Sequence, residues 1–290
     1  MMTASAAQVR RRRSRSLRIL RGVQSERVRD RAPEDVIVLA YHAVSDAWDG
    51  VTTVTPAQLR AHVELLLARG YVGATFSTAV GTPPPGKVLA ITFDDAHRSV
   101  ATVAFPLLRA LGVPATVFAP TDHIGTGKPT AWAGFEEPAA GPHAAELICA
   151  DWEQLRGLAD AGWEIGSHTC SHPRLTGVDD DRLRDELARS RATLEERLER
   201  PCTSLAYPYS DHDTRVVAAA NAAGYAYAAT IPVGGASPLP LRWPRVGVFR
   251  TDSLGRFKLL TAPATRRFLA TRTGDAVADA IRAAKALRRR

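Results

Sequence analysis

Cysteine is scarce in this chain, and the few cysteines it has exclude two common kinds of site. The 290 residues contain only Cys149, Cys170 and Cys202, and none of them stands in a C-x-x-C pair. Three cysteines are too few, and odd in number, for a disulfide framework, and without paired spacing they do not indicate a structural zinc site. We therefore expect the protein to fold in a reducing compartment.

Long apolar runs are also missing from the sequence. No stretch approaches the ~20 apolar residues that span a bilayer. The paired Arg11 and Arg12 are similar to a twin-arginine export signal, but the apolar stretch of roughly 7 to 15 residues that such a signal needs does not follow them. We expect a protein without a signal peptide or a transmembrane segment, located in the cytoplasm or peripherally at a membrane.

The net charge of +8 belongs to the two ends of the chain. Residues 1–34 carry ten arginines and three acids, residues 265–290 carry eight bases and two acids, and the residues between them hold 20 bases and 25 acids. This mildly acidic body argues against specific nucleic-acid binding through a basic groove. The sequence predicts a basic, disordered arm at 1–34, a folded body at 35–264 and a basic helical tail at 265–290. Solvation explains the arm, and peripheral contact with an anionic membrane or with nucleic acid is the alternative.

The body alternates apolar, β-branched runs with amphipathic helical patterns. Such runs separated by helices are typical of a parallel sheet that is buried on both faces. The number of β-α units, roughly seven, favours an α/β fold of the (β/α) barrel type, and an open doubly wound sheet is the alternative. The predicted strands are 36–41, 72–76, 88–93, 115–119, 163–167, 204–207, 225–230 and 246–249, and the predicted helices are 55–67, 103–111, 151–160, 179–199 and 214–223.

Polar side chains follow four of the predicted strands. The carboxyl ends of barrel strands form the active site in folds of this kind. Those ends carry His42, the pair Asp94 and Asp95, the segment 168–172, and the turn 208–210. One such residue is ordinarily a helix cap or a turn residue, but four strand ends with this chemistry indicate a single site.

Two histidines four residues apart and one carboxylate form a ligand set for a borderline metal such as Zn²⁺. His168 and His172 have that spacing, and the set leaves positions open for water, as catalytic sites do. On extended or turn backbone Asp94 and Asp95 would point in different directions, so one can hold the metal while the other acts as a base. Taken alone, the two aspartates could instead cap the next helix.

The same residues resemble a known family. Thr92–Ala96 resembles the T-F-D-D-G motif, and 168–172 matches the H-[ST]-x-x-H motif, of the polysaccharide deacetylases of the NodB-homology class, carbohydrate esterase family four. Residues 205–210 are similar to that family's third motif. The resemblance covers about 36–250 and implies a distorted (β/α)7 barrel that removes N-acetyl groups from a glycan with a divalent metal, Zn²⁺ being the expected ion. It implies Asp94 as the base, Asp95, His168 and His172 as the metal ligands, and Pro208 with the Tyr209 backbone N–H at the oxyanion.

The sequence departs from the family pattern at two places. Ala96 stands where a glycine is usual, and the late L-x-H motif that supplies a general acid is absent, because no histidine follows His212. In deacetylases similar to those acting on poly-N-acetylglucosamine, the barrel is circularly permuted and an early strand provides that histidine. We therefore predict His42 as the general acid, with a buried packing role as the alternative.

Four further residues are interpreted from their positions. Arg245 is predicted to pair with Asp94 and hold it ionised, with a surface ion pair as the alternative. Trp243 and Trp132 are candidates for stacking on sugar rings, although core packing competes for Trp243. His97 is expected to be exposed at a helix start, and contact with the metal site is the alternative.

Three functions fit these observations. The first is a metal-dependent N-deacetylase acting on an N-acetylated glycan or saccharide. The second keeps the metal site and hydrolyses O-acetyl esters or small amides. The third is a catalytically silent protein that binds glycan or nucleic acid through its basic ends.

Overall fold

A parallel sheet forms the centre of the structure, a computed structural model that describes residues 36–231 and 238–269. Its strands are β1 (Val36–Tyr41), β2 (Tyr71–Ala74), β3 (Lys87–Phe93), β4 (Ala115–Ala119), β5 (Glu164–Ser167), β6 (Ser204–Ala206), β7 (Tyr227–Thr230), β8 (Trp243–Pro244) and β9 (Val246–Gly247). The α-helices are α1 (Pro56–Ala68), α2 (Phe76–Gly81), α3 (Phe105–Ala110), α4 (Glu136–Ala140), α5 (Trp152–Asp160), α6 (Asp180–Leu198), α7 (Thr214–Ala222), α8 (Leu254–Leu260) and α9 (Pro263–Leu269).

The predicted ends of the chain fall largely outside this description. The basic arm at 1–34 lies outside the described residues, and so does the predicted tail beyond 269. The boundary predicted at 264 falls inside α9. In the part of the chain that the structure describes, no helix has the length and apolar character needed to cross a bilayer.

Local sequence signals set the helix starts. Thr55 and Gln58 form a reciprocal capping box at the start of α1, and Asp151 and Gln154 form another at the start of α5. Each box satisfies two backbone N–H groups that the first helical turn leaves without partners. Both helices therefore begin where the sequence predicts.

The sheet closes on itself through one short segment. The strand order is β8-β7-β6-β5-β4-β3-β1-β9, every pairing is parallel, and β2 adds to β3 beside this path. Only Arg245 separates β8 from β9, and Trp243 pairs with Ala229 of β7 while Val246 pairs with Leu39 of β1. A single stretch of chain thus bridges the two edges. The (β/α)7-type barrel is confirmed, and the open sheet is excluded.

Strand residues alternate between the barrel interior and its helical coat. Val36 and Val38 of β1 pack in an inner cluster with Phe76 of α2 and with Trp243, whereas Leu39 packs in the outer cluster. The helix α2, which the sequence prediction missed, contacts β1, β3 and β7 and fills the interior near the amino ends of the strands. The carboxyl ends are left for polar side chains.

The outer layer contains a buried histidine that makes stability depend on pH. His62 is 2% exposed, stacks on Phe257 with ring centroids 4.0 Å apart, and its Nδ1 lies 3.1 Å from the Tyr41 hydroxyl. Burial lowers the pKa of His62 to about 4, against a smaller raising effect from Asp252. The unfolded chain therefore takes up a proton near pH 6.5 that the native protein accepts only near pH 4.

We expect the free energy of unfolding to fall as the pH drops from 7 to 5, with about 1 to 2 kcal/mol of that loss due to His62. Urea unfolding at both pH values, with chelator present, measures the loss. The free energy of unfolding of His62→Gln should fall less between pH 7 and pH 5, because glutamine does not titrate. The half-buried His143 provides a matched control, His143→Gln. Equal losses in the wild type and in His62→Gln would contradict the prediction.

Candidate active site

The loops that follow the strands meet at the carboxyl end of the barrel on strained backbone. Seven residues other than glycine have positive φ among those described, and six of them lie in the loops after β3, β5 and β6. Such conformations cost of order 1 to 3 kcal/mol each and cluster at functional sites. The six are Asp95 (φ 68°), Ala96 (φ 49°), Thr169 (φ 67°), His172 (φ 61°), Tyr209 (φ 56°) and Ser210 (φ 55°).

Three buried side chains converge as a candidate metal site. Asp95 Oδ1 lies 3.5 Å from Nε2 of His168 and 3.5 Å from Nε2 of His172, and each of the three residues is 5% exposed or less. Four ligands at 2.0–2.1 Å around a tetrahedral Zn²⁺ would be about 3.4 Å apart. The two separations from Asp95 Oδ1 match this ligand-to-ligand distance. Asp95 Oδ1 also has no hydrogen-bond partner among the described residues.

The protonation of the two histidines suits a cation. His168 Nδ1 lies 2.7 Å from the Ala206 carbonyl oxygen, which can only accept, so Nδ1 donates and Nε2 is the nitrogen directed at Asp95. Burial and the neighbouring His168 lower the pKa of His172 to about 3, so its ring is neutral. Both rings can therefore serve as ligands, and the donor set fits a borderline divalent metal.

Asp94 forms a buried ion pair with Arg245. The guanidinium donates to both carboxylate oxygens, at 2.6 and 2.8 Å, and also to Thr92 Oγ1 at 2.9 Å. The Arg245 and Asp94 side chains are 1% and 5% exposed, which excludes a surface ion pair. Burial would raise the pKa of Asp94, but the Arg245 charge and hydrogen bonds outweigh it and hold that pKa below its usual range.

His42 follows β1 at the same end of the barrel. Its Nδ1 is buried and has no hydrogen-bond partner within the described residues. Burial lowers the pKa of His42, while the charges of Asp95 and Asp94 oppose that shift. The position fits the predicted general acid, and the role itself stays a prediction.

Tyr209 and Trp132 flank the metal-ligand cluster. Tyr209 lies in the short turn after β6 that starts with the buried Pro208, and its ring centroid is 4.7 Å from that of His172. Trp132 also stacks on His172, with centroids 4.1 Å apart and ring planes 25° apart. Trp132 therefore lies beside the metal-ligand cluster, and its role in sugar stacking stays a prediction. Trp243 is 7% exposed in the inner core cluster, so its ring offers no face to a sugar, and that expectation is corrected.

Two further buried residues lie near the metal ligands. His97 was expected to be exposed, but it is 1% exposed and its Nε2 lies 3.5 Å from Asp95 Oδ2, so that expectation is wrong. Glu186, 3% exposed, lies on the apolar face of α6 between Leu183 and Leu187. A carboxylate on an apolar helical face was the available signal for Glu186, and closeness to the two aspartates in the sequence was the signal for His97.

Glu186 holds the loop between the two histidine ligands. Its carboxylate accepts the backbone N–H groups of Cys170 and Ser171, both at 2.9 Å, and the Ser171 hydroxyl. These charge-assisted bonds offset the strain of the loop, in which Thr169 and His172 both have positive φ. Glu186 therefore fixes the spacing of the ligands through the backbone.

We expect Glu186→Leu to lower the free energy of unfolding by about 2 to 4 kcal/mol, because two buried N–H groups lose their partner. Urea unfolding of the metal-free protein measures this loss, and zinc titration should show weaker binding. Glu196→Gln, at an exposed position on the same helix, is the matched control. Unchanged stability and affinity in Glu186→Leu would disprove the role.

Comparison with known proteins gives three kinds of match. The family model described as polysaccharide deacetylase matches residues 81–228. The protein YxkH of Bacillus subtilis (strain 168), which carries the same family name, is 26% identical over 215 residues, covering 72% of this chain and 69% of YxkH.

Among solved structures, a polysaccharide deacetylase from Bacillus cereus has a TM-score of 0.63 at 23% identity, covering 78% of this chain and 69% of its own. A Streptococcus pyogenes deacetylase in complex with acetate has a TM-score of 0.61 at 20% identity, covering 79% and 98%. IcaB from Ammonifex degensii has a TM-score of 0.59 at 22% identity, covering 79% and 96%. At these identities the likeness to the solved structures concerns the fold.

Proposed function

The chain belongs to the polysaccharide deacetylase family, and on that premise we propose that it removes N-acetyl groups from a glycan or an amino-sugar-containing saccharide in a metal-dependent hydrolysis. The family makes it a deacetylase, a hydrolase that acts on acetylated saccharides. One observation carries the metal-dependent mechanism. The three-ligand cluster of Asp95, His168 and His172 lies beside Asp94, a carboxylate that Arg245 holds ionised.

Asp95, His168 and His172 would hold the ion, with Zn²⁺ as the proposed metal. When bound, such a cation lowers the pKa of a water toward about 7 and polarises an acyl carbonyl. Asp94 is the proposed general base and accepts a proton from the attacking water. Arg245 donates hydrogen bonds to both oxygens of Asp94, and these bonds fix the direction from which the carboxylate can accept a proton.

Amide cleavage also needs a donor for the leaving nitrogen, because an amide anion is a poor leaving group. His42 is the proposed donor, and its Nδ1 is not engaged by another described residue. The Tyr209 N–H would donate to the oxyanion from the turn after β6. Trp132, half-buried against His172, offers an aromatic face for a sugar ring.

The proposal is tested by acetate release from a panel of N-acetylated oligosaccharides and lipid-linked sugars, with and without a chelator. Release that stops with chelator and returns with added zinc would support it. Chelator-insensitive release would overturn the metal-dependent mechanism.

His42→Ala separates amide from ester chemistry. We expect this variant to lose about 10²- to 10⁴-fold in kcat on an N-acetylated substrate, because the leaving amine then lacks its donor. The loss on an O-acetylated substrate should be much smaller, since an alkoxide leaves more readily than an amide anion. Steady-state kinetics on both substrates provide the measurement. Full N-deacetylase activity in His42→Ala would assign the proton to another group.

A further inference from the structure

The amino ends of the first strands carry a surface that combines positive charge with exposed apolar side chains. This surface lies at the end of the barrel opposite the candidate active site, since site residues follow the carboxyl ends. We call it the basal patch, and its members are Arg69, Val72, Lys87, Lys258, Leu259, Arg266 and Phe268.

Hydrogen bonds bring parts of the basal patch together from distant points in the sequence. Lys87 Nζ, at the start of β3, donates to the Arg69 carbonyl at 3.0 Å. The Arg69 guanidinium donates to Thr261 Oγ1 at 3.3 Å, in the turn between α8 and α9. Arg266 of α9 donates to the carbonyl of Val36, the first residue of β1. The end of α1, the starts of β1 and β3, and the last two helices therefore converge.

The apolar members are unusually exposed. Leu259 is 62% exposed, Val72 is 53% and Phe268 is 46%, and they are three of the six large apolar side chains exposed among the described residues. Exposed apolar side chains at the same end of the barrel as basic ones are suited to a binding surface.

The sequence carries further positive charge in the two segments that flank the described fold. The segment 1–34, with ten arginines against three acids, joins the fold at the start of β1. The segment 270–290, with six basic and two acidic residues, joins it at the end of α9. The Arg266 to Val36 contact shows that these two junctions are adjacent.

We propose that the basal patch docks the protein on an anionic phospholipid membrane. Basic side chains attract anionic headgroups, and leucine and phenylalanine side chains gain by entering the boundary between headgroups and acyl chains. A nucleic-acid backbone would use the positive charge but leave the apolar side chains exposed to water.

Together with the proposed function, docking places the active site about 20 Å from the bilayer, the length of β1 at ~3.3 Å per residue. The substrate class that fits is a saccharide chain extending away from the membrane.

The test is co-sedimentation of the full-length chain with vesicles of phosphatidylglycerol and phosphatidylcholine in equal parts, at physiological salt. The double variant Leu259→Ser/Phe268→Ser should partition at least about tenfold less into these vesicles. Lys258→Glu should weaken partitioning and reduce its dependence on salt concentration, because less positive charge attracts the anionic headgroups. Val51→Ser changes an apolar side chain that is 56% exposed on the loop after β1, at the active-site end, and should bind like the wild type.

Three results would overturn the proposal. The first is no binding of the wild type to the anionic vesicles, or equal binding to pure phosphatidylcholine. The second is unchanged binding of the double variant. The third is that duplex DNA displaces the wild type from the vesicles and that the double variant binds this DNA as tightly as the wild type does. That result would indicate a nucleic-acid surface. Vesicle binding is measured without substrate, so its failure is distinct from failure of the proposed deacetylation.

A different observation, at the metal cluster, carries a second inference that rests on the proposed function. His97 is 1% exposed, and neither of its ring nitrogens has a hydrogen-bond partner in the described part of the chain. Its Nε2 lies 3.5 Å from Oδ2 of Asp95, whereas the two histidine ligands lie 3.5 Å from Oδ1. The two oxygens of Asp95 thus face different partners.

We infer that His97 is a positioning residue: with the ion bound, its Nε2 would donate to Asp95 Oδ2, which lies 3.5 Å away in the structure, and so direct Oδ1 toward the ion. Residues that orient metal ligands typically contribute 10- to 100-fold to metal affinity. His97→Phe, which keeps the ring volume and removes the donor, should weaken zinc binding by about that factor. His97→Gln, whose amide nitrogen reaches the Nε2 position, should retain most of the affinity, and His97→Asn should not.

Zinc dissociation constants measured by competition with a chromophoric chelator test this role without reference to activity. Thermal unfolding of the metal-free variants separates affinity from folding. Equal affinity in His97→Phe and the wild type would overturn the inference. Equal affinity in His97→Gln and His97→Asn would also overturn it, and this comparison decides the matter if His97→Phe does not fold.

Discussion

Replacing Asp94 with asparagine is expected to reduce acetate release about 10³-fold or more while zinc binding is retained. The amide cannot accept the proton of the attacking water, and general-base catalysis supplies 10² to 10⁴ of the rate in comparable enzymes. Zinc binding should persist because the ligands are Asp95 and the two histidines. The measurements are acetate release at saturating substrate and zinc titration of the same preparation.

Asp49→Asn is the matched control, because Asp49 is an exposed carboxylate on the loop that follows β1. It should keep wild-type kcat. An Asp94→Asn protein with activity within tenfold of the wild type would assign the base to another residue. Loss of zinc together with activity would instead mean that Asp94 holds the ion.

Replacing Arg245 with methionine is expected to cause the largest loss of stability, about 3 to 5 kcal/mol in the free energy of unfolding. The substitution leaves the buried Asp94 carboxylate without its cation, which costs more than the net value of an intact pair. Arg245 lies in the segment that closes the barrel between β8 and β9, and the substitution also removes its hydrogen bond to Thr92. Activity should fall with stability, since Asp94 loses the contact that orients it.

A double variant distinguishes an unpaired charge from a general packing defect. Asp94→Asn/Arg245→Met removes both charges and should be more stable than Arg245→Met alone, while remaining inactive. Arg245→Lys should recover only part of the stability. A lysine ammonium lacks the planar set of donors with which the guanidinium binds both carboxylate oxygens and Thr92 at once. Urea unfolding of five proteins, the wild type, the two single variants Asp94→Asn and Arg245→Met, the double variant and Arg245→Lys, measures these differences. Strictly additive losses in the double variant would show that the ion pair makes no coupled contribution.

The regular elements were predictable because their signals are local. The capping residues Thr55 and Asp151 set helix starts through hydrogen bonds that span three residues. Continuous β-branched runs such as Val36–Tyr41 indicated strands buried on both faces. The short helix α2 was missed because its sequence FSTAVG is short and weakly patterned, and packing inside the barrel stabilises it.

The candidate site was predictable to the extent that it lies at strand ends. Parallel strands bring their carboxyl ends to one edge, so His42, Asp94 and His168 could be grouped without coordinates. The partners of these residues come from other parts of the chain. Glu186 lies on a helix and reaches the ligand loop across the fold, and His97 is buried only because the loops after β3 and β4 pack over it.

The sequence by itself determined the parallel α/β class, the order of the chemical groups along the strands and the uneven distribution of charge, and it favoured a barrel over an open sheet. Those properties depend on periodicity, spacing and composition, which are local or additive. Only the tertiary structure decided that Arg245 is buried against Asp94, that Trp243 belongs to the core, and that the two basic ends join the fold at adjacent points. Such contacts depend on closure of the sheet between β9 and β1, where residues some 200 positions apart become neighbours. No local sequence pattern indicates which residues so far apart in the chain become neighbours.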